Sequence, residues 1–169
     1  MTGNTVLEIR KAVLEDIPSL KEIFASARKF MATSGNPNQW PETYPPEDLI
    51  KYDIERGACH VVLEDGTVHG VFVAIEGRDP TYDEIDGAWP NDGPYVTIHR
   101  IASDGKVRGI FDSAVEYVRG YAENIRIDTH EDNLPMQRHI LKQGFVYCGI
   151  IITHDGTPRL AYQWSRERS

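Results

Sequence analysis

The chain has 169 residues, the length of one compact domain, and we expect a single domain over residues 1–169. Hydrophobic residues make up 40% and charged residues 26% of the sequence, as in ordinary globular proteins. The net charge of −8 argues against nucleic acid or an anionic membrane surface as a partner and is compatible with a cationic ligand.

Two further features of the sequence bear on the cellular compartment. The two cysteines, Cys59 and Cys148, lie far apart and outside any metal-ligand spacing. The start of the sequence is polar, and no apolar run approaches the ~20 residues of a membrane span. We therefore expect a cytoplasmic protein with two reduced thiols, although a single long-range disulfide is compatible with two cysteines.

The first third of the sequence predicts one strand and two helices. Residues 6–11 read as a strand, and apolar residues at helical spacing predict a helix over residues 17–35. Residues 36–46 hold four of the ten prolines, which predicts a loop. Residues 46–57 follow as a second helix with an acidic first turn.

The middle of the sequence predicts a hairpin, a long loop and a central strand. Residues 58–63 and 67–75 form the hairpin around an Asp-Gly turn. Residues 76–93 are an acidic loop, and residues 95–102 are apolar on both faces, as a central strand requires.

The last third predicts two further helices and three strands. In chain order they are a helix over 110–121, a strand over 125–129, a helix over 133–143 with a proline in its first turn, and a hairpin of residues 145–153 and 158–164. The whole order predicts an α/β (α+β) fold with a mixed sheet of about seven strands flanked by four helices.

One segment carries a signal for anion binding. Residues 95–111, YVTIHRIASDGKVRGIF, run from a strand through a loop with two glycines directly into a helix. Such a loop aims backbone N–H groups at one spot, and the helix N-terminus adds partial positive charge, which suits a pyrophosphate. Lys106 and Arg108 add cationic donors, yet an ordinary strand–loop–helix connection with turn glycines explains the segment equally well.

A second segment carries a family resemblance. Residues 133–145, NLPMQRHILKQGF, begin at a helix N-terminus and run through Gly144-Phe145 into the last hairpin. This layout, the preceding strand IRIDTHED and the element order over almost the whole chain resemble the GNAT acetyltransferase superfamily. The QWPETYPPEDL segment and the HRIA strand are similar to those of a branch of small bacterial enzymes.

The resemblance implies an acetyl-CoA-dependent N-acetyltransferase without a metal. The backbone of Ile101, Ala102 and Ser103 would align the pantetheine arm, and Asn133 would hydrogen-bond it from the side. The pyrophosphate would lie on the loop and helix start formed by Gly105, Lys106, Val107, Arg108, Gly109, Ile110 and Phe111.

The sequence departs from the family pattern at two positions. Phe111 stands where the pyrophosphate loop usually ends in a small residue, so the phosphate contacts are expected to differ. Ile140 stands where many members have a tyrosine that protonates the departing thiolate, so another group serves or the thiolate leaves unassisted.

The implied reaction is direct attack of a neutral amine on the thioester, which needs a proton acceptor and an oxyanion donor. We predict His99 as the base, although a packed core histidine explains its position as well. A backbone N–H near Ile101 is the predicted oxyanion donor. Tyr147 and Tyr162 are candidate proton donors, and side chains of this kind are also common in cores.

Trp40 and Tyr44 are predicted to contact the acceptor, since this region forms one wall of the acceptor site in GNAT folds. They suit a plug over the end of the sheet equally well. The acidic loop over residues 76–93 either covers the acceptor pocket or is merely solvated. The run His130-Glu131-Asp132 lacks metal-ligand spacing and is predicted to be a capping turn.

The predicted acceptor is the primary amine of a small molecule. The family resemblance also implies a homodimer. Two alternatives stay open at this point. A catalytically weak GNAT-like domain would bind acyl-CoA as a sensor or interaction module. An unrelated α/β module would hold another phosphate ligand in the glycine loop.

Overall fold

The computed structural model describes residues 7–41 and 43–166. Val6, part of the first predicted strand, lies outside them. The strands are β1 (Glu8–Lys11), β2 (Cys59–Glu64), β3 (Thr67–Glu76), β4 (Asp86–Gly87), β5 (Val96–Ser103), β6 (Asn124–Thr129), β7 (Val146–Ile152) and β8 (Pro158–Ser165). The helices are α1 (Ile17–Thr33), α2 (Glu47–Glu55), α3 (Ile110–Arg119) and α4 (Leu134–Lys142), with short 3₁₀ turns at Leu14–Asp16 and Pro80–Tyr82.

The described strands form one mixed sheet in the order β1-β2-β3-β5-β6-β8-β7-β4. Strands β5 and β6 are parallel and joined through α3, while the other neighbouring pairs are antiparallel. The mixed sheet and the four helices confirm the predicted fold class.

The described part of the sheet has eight strands, one more than the seven predicted. The additional strand, β4, lies inside the segment predicted as a loop and pairs Asp86 with Ile150 and Gly87 with Gly149. A Cβ atom on Gly87 would lie 2.1 Å from the carbonyl oxygen of Cys148, so only glycine allows this approach. A two-residue strand has no hydrophobic alternation, and the sequence pattern therefore did not reveal it.

The sheet separates two hydrophobic cores. On one face, α1 and α2 cover Val61, Val71 and Val73. On the other face, α3 and α4 cover Val62 and Phe72. Residues that alternate along β2 and β3 thus point into opposite cores, as a strand buried on both faces requires.

Two irregularities of β5 open the sheet at its centre. Opposite the single residue Phe72 of β3, strand β5 has both Arg100 and Ile101, which is a β-bulge, and Arg100 takes a positive φ of 49°. The parallel pairing of β5 with β6 ends at Thr97 and Arg126. Beyond that point the two strands separate and leave a cleft between them.

In the described residues, Cys59 and Cys148 are buried free thiols, as predicted. None of the helices in residues 7–41 and 43–166 has the length and apolar character that crossing a membrane requires.

Candidate active site

Two cavities meet at the bulge of β5. The first, the β5–β6 cavity, has a volume of about 480 Å³ and lies in the cleft between the separating strands. The second, the α3–α4 groove, has a volume of about 600 Å³ and runs from β5 along the start of α3 to α4. Both cavities are lined by Met31, Ile101, Asn133 and Met136. A long ligand in the groove can therefore present its end to a second ligand in the cavity.

The α3–α4 groove contains the predicted cofactor-binding positions Ile101, Ala102 and Ser103 at the end of β5. It also includes Gly105, Val107, Arg108, Gly109, Ile110 and Phe111 of the loop and the first turn of α3. Lys106 is exposed beside these residues. Apart from Lys106, the residues that the family resemblance assigned to one ligand thus lie along one groove.

The backbone N–H groups that are available to an anion lie at the start of α3 rather than along the whole loop. The backbone N–H groups of Gly105 and Lys106 donate to Ser103 Oγ and Asp104 Oδ1, at 3.0 and 2.9 Å, and are therefore used within the loop. Gly109, with a φ of 85°, precedes α3 and offers no side chain as a cap. The N–H groups of the first helical turn have no partner within the helix, so they are the donors left for an anion.

Phe111 and Ile140, the two departures from the family pattern, are core residues. Phe111 is 7% exposed and its ring centre lies 5.9 Å from that of His139, while Ile140 is fully buried. The backbone of Phe111 still lies in the first turn of α3, so its aromatic side chain fills the core beneath the groove and leaves the turn in place.

Asn133 holds the start of α4 and already uses much of its side chain. Its Oδ1 accepts from the backbone N–H of Met136 at 3.2 Å, which caps α4. Its Nδ2 donates to Gln39 Oε1 at 2.9 Å. One Nδ2 hydrogen remains for the ligand contact that the sequence predicted. The backbone is already used, since the N–H of Asn133 donates to the carbonyl of His130 at 3.0 Å and its carbonyl accepts from the N–H of Gln137 at 3.1 Å.

His99 pairs with a carboxylate in the β5–β6 cavity. Its Nε2 lies 3.0 Å from Oδ2 of Asp79, and the other carboxylate oxygen, Oδ1, accepts from the backbone N–H of Thr81. The hydrogen bond to His99 lowers the pKa of Asp79 to about 2, so the carboxylate is ionised at neutral pH. Neutral His99 therefore carries its proton on Nε2 and keeps a lone pair on Nδ1, which has no partner among the described residues.

A second carboxylate, Asp128 on β6, lines the same cavity. Its Oδ2 accepts from the hydroxyl of Tyr82 at 2.6 Å, and burial raises the pKa of that hydroxyl well above its usual value. The ring of Tyr82 stacks on His99 with centroids 6.4 Å apart. Sequence reasoning missed Asp79, Asp128 and Tyr82 as site residues, since they lie on an acidic loop without periodicity and at a strand end far from His99 in sequence.

Trp40 and Tyr44 both line the β5–β6 cavity, and both also pack. The Trp40 ring lies 5.9 Å from Phe24 in the core and 5.6 Å from Tyr44. The two roles left open by the sequence, cavity wall and cover of the sheet end, thus coincide in these side chains.

Arg159 of β8 lines the same cavity and is 8% exposed. Its Nη2 donates to the backbone carbonyl of Gln39 at 3.0 Å, which joins β8 to the loop after α1. Nothing in the sequence around Arg159 marks it as a site residue, because its surroundings come from distant segments.

Tyr147, the predicted proton donor, is 53% exposed on β7 and packs against Tyr162 with ring centres 5.7 Å apart. It lines neither of the two cavities formed by the described residues, so the proton transfer predicted for it has no geometric support. Within residues 7–41 and 43–166, no cluster of three or more His, Cys, Asp or Glu residues is arranged to hold a metal ion.

Several solved structures of acetyltransferases share this fold. A GNAT-family acetyltransferase from Streptococcus agalactiae 2603 is 34% identical, with a TM-score of 0.87 and 96% of each chain covered. One from Listeria monocytogenes 4b F2365 shares the fold at 18% identity and a TM-score of 0.69, over 98% of this chain and 99% of that chain.

The YncA protein of Salmonella typhimurium, whose structure contains its cofactor acetyl-CoA, shares the fold at 14% identity and a TM-score of 0.58, over 96% of this chain and 95% of that chain. No protein-family model and no curated protein matches the sequence. The identity of 34% over nearly all of both chains decides the assignment: this protein belongs to the GNAT family of acetyltransferases.

Proposed function

We propose that this protein transfers an acetyl group from acetyl-CoA to the primary amine of a small molecule by direct attack of the amine. The observation that carries the proposal is the meeting of the α3–α4 groove and the β5–β6 cavity at Ile101, Asn133, Met136 and Met31. A transferase that forms no covalent enzyme intermediate must hold both substrates at once, with the reacting atoms at the junction.

The α3–α4 groove fits acetyl-CoA. The uncapped first turn of α3 supplies backbone donors for the pyrophosphate, and Arg108 and Lys142 add positive charge to the groove. The bulged end of β5 supplies an extended edge for the pantetheine arm. When bound, acetyl-CoA supplies an acetyl group that is already activated as a thioester.

The β5–β6 cavity provides the groups that an amine acceptor needs. Asp79 orients His99 so that Nδ1 takes the amine proton, directly or through water. At the bulge, the backbone N–H of Ile101 is the proposed donor to the carbonyl oxygen. The amine nitrogen forms the new bond to the carbonyl carbon, the carbon–sulfur bond breaks, and the sulfur leaves as a thiolate, whose low pKa makes a protein acid unnecessary.

A thermal melt with and without acetyl-CoA tests the cofactor assignment, with NAD and ATP as control ligands. At about a hundred times its dissociation constant, a ligand adds about 2.7 kcal/mol, which corresponds to a shift of about 5–10 °C here. The shift is expected with acetyl-CoA alone. No shift at saturating acetyl-CoA would contradict the proposal.

A second candidate function is binding of acyl-CoA without catalysis. It is favoured by the buried Ile140, which stands where many family members have a proton-donating tyrosine. An assay of CoA thiol release from acetyl-CoA in the presence of each of a panel of primary amines distinguishes the two functions. Amine-dependent release supports the transferase, whereas an acetyl-CoA melt shift without turnover on any amine supports the binding module.

A further inference from the structure

Arg159 is a buried cation with which no described carboxylate forms a direct ion pair. It is 8% exposed, and its Nη2 donates to the backbone carbonyl of Gln39 at 3.0 Å. Its Nε is buried and has no hydrogen-bond partner in the described part of the chain. No described carboxylate lies within ion-pair distance of it. A buried guanidinium with one hydrogen bond is costly unless a ligand completes its contacts.

The other well-buried arginines show what a satisfied guanidinium looks like in this protein. Arg100 forms two hydrogen bonds with Asp53. Arg126 donates to Gln163 and to the carbonyl of Asn91, and it lies 4.0 Å from the ring centres of both Trp89 and Tyr95. Arg159 alone among these three also lines a cavity while one of its buried N–H groups lacks a partner.

The strand register places Arg159 and Asp128, which carry opposite charges, on the same face of the sheet. Asp128 of β6 pairs with Ala161 of β8, and Arg159 is two residues from Ala161 along β8. Diagonal neighbours of this kind have backbones about 7–8 Å apart and side chains on the same face. The two charged groups do not pair with each other, and both line the β5–β6 cavity.

Asp155 also lines this cavity, but its carboxylate is engaged elsewhere. It accepts from the hydroxyl of Thr153 and from the backbone N–H of Thr157. These bonds, with a smaller contribution from the positive charge of Arg159, lower the pKa of Asp155 to about 2. It is exposed on the turn between β7 and β8 and leaves the buried Nε of Arg159 unsatisfied.

We propose that the acceptor carries a carboxylate next to its amine, as an amino acid does, and that Arg159 binds this carboxylate. The inference rests on the proposed acetyl transfer and names the substrate class of the same cavity. The carboxylate completes the contacts of Arg159, and the amine then lies on the side of Asp128 and His99. A site built this way rejects an analogue that lacks the charged group, because the buried guanidinium is left unpaired.

Matched acceptors test the inference: α-amino acids against the corresponding amino-acid carboxamides, each with acetyl-CoA, with CoA release as the readout. The carboxamide amine is less basic and hence more often neutral at pH 7.5, so intrinsic reactivity favours the carboxamide. Wild-type protein is expected to have a higher kcat/KM for at least one amino acid than for its carboxamide. Equal values, or higher values for the carboxamides throughout, would overturn the inference.

Arg159→Gln is expected to lower the ratio of kcat/KM for the preferred amino acid to kcat/KM for its carboxamide by about 10- to 100-fold, mainly through the KM for the amino acid. Arg159→Lys is expected to retain part of the preference. Arg138→Gln, on the exposed face of α4, removes the same charge and serves as the control. A preference that survives in Arg159→Gln would count against the assignment.

A binding readout on wild-type protein keeps the inference testable if Arg159→Gln does not fold. In the presence of CoA, an N-acetyl amino acid is expected to raise the melting temperature more than its carboxamide does. No difference between the two would overturn the inference. A protein that acetyl-CoA stabilises but that treats the pairs alike contradicts this inference alone, whereas no stabilisation by acetyl-CoA contradicts the proposed function and the inference with it.

Discussion

The carboxylate of Asp53 on α2 holds the guanidinium of Arg100 with two hydrogen bonds, of 2.8 Å to Nε and 3.0 Å to Nη2. Arg100 is the residue of β5 with a φ of 49°, a conformation that costs a non-glycine residue energy. The Asp53 side chain is 2% exposed and that of Arg100 is 12% exposed. The ion pair therefore fixes the β-bulge whose backbone faces the junction of the two cavities.

Asp53→Asn is expected to lower the free energy of unfolding by about 3 kcal/mol, because it leaves the buried charge of Arg100 without its counterion. Chemical denaturation at pH 7 measures the change. The exposed ion pair of Lys21 with Glu47 provides the control: Glu47→Gln should leave the unfolding midpoint nearly unchanged. Equal effects of the two substitutions would contradict a structural role for the Asp53–Arg100 pair.

His99→Gln is expected to lower kcat by about 10²-fold or more, because it removes the proposed proton acceptor. The melt shift produced by acetyl-CoA should remain, since His99 lies in the β5–β6 cavity and outside the α3–α4 groove. Steady-state kinetics with the best amine from the panel measures the first effect. Full activity of the variant would show that another group or a water chain accepts the proton.

The acid dependence of stability should reveal the pairing of Asp79 with His99. The hydrogen bond to His99 lowers the pKa of Asp79 to about 2, below the ordinary value of 3.8, so its stabilising contribution is present above about pH 4. That contribution is lost as the pH falls from about 4 toward 2. The stability difference between wild type and Asp79→Asn should therefore shrink over this range, and a difference that stays constant would argue against the pairing.

Gly109→Glu is expected to abolish the melt shift with acetyl-CoA, since it places a carboxylate at the start of α3 where the pyrophosphate is proposed to bind. Gly66→Glu is a matched control, because Gly66 has a φ of 80° against 85° for Gly109 and lies on the exposed β2–β3 turn. Both variants carry the same backbone strain and the same added charge. An unchanged shift in Gly109→Glu would place the cofactor elsewhere.

The thiols of the folded protein are expected to be unreactive. Burial raises the pKa of Cys59 to about 12 and also raises that of Cys148, so neither forms a thiolate near neutral pH. Titration with a disulfide reagent at pH 8 should detect no fast thiol in the native state and two in denaturant. A fast thiol in the native state would contradict the burial of these side chains.

The sequence predicted the regular elements well because each leaves a local signature. The apolar spacing of α1, the Asp-Gly turns of both hairpins and the glycine loop ahead of α3 all act within a few neighbouring residues. His99 could be singled out as a titratable side chain on the central strand. Even so, no sequence pattern indicates that Asp79, twenty residues earlier on an irregular loop, pairs with it.

The remaining site residues depend on contacts that no local pattern records. Asp53 and Arg100 are 47 positions apart, and Gln39 and Arg159 are 120 positions apart. The bulge of β5 and the two-residue strand β4 are backbone irregularities that interrupt alternation instead of producing it. Only the folded chain brings these groups to one cavity.

Gln39 contacts both binding regions, one through its side chain and the other through its backbone. Its side-chain oxygen accepts from Asn133 at the α3–α4 groove, and its backbone carbonyl accepts from Arg159 at the β5–β6 cavity. A ligand that displaces Gln39 therefore changes the affinity of the other site for its own ligand. Thermodynamic linkage makes such an effect reciprocal. The factor by which acetyl-CoA changes the affinity for the acceptor must equal the factor by which the acceptor changes the affinity for acetyl-CoA, so the loop after α1 is where cooperativity between the two substrates would originate.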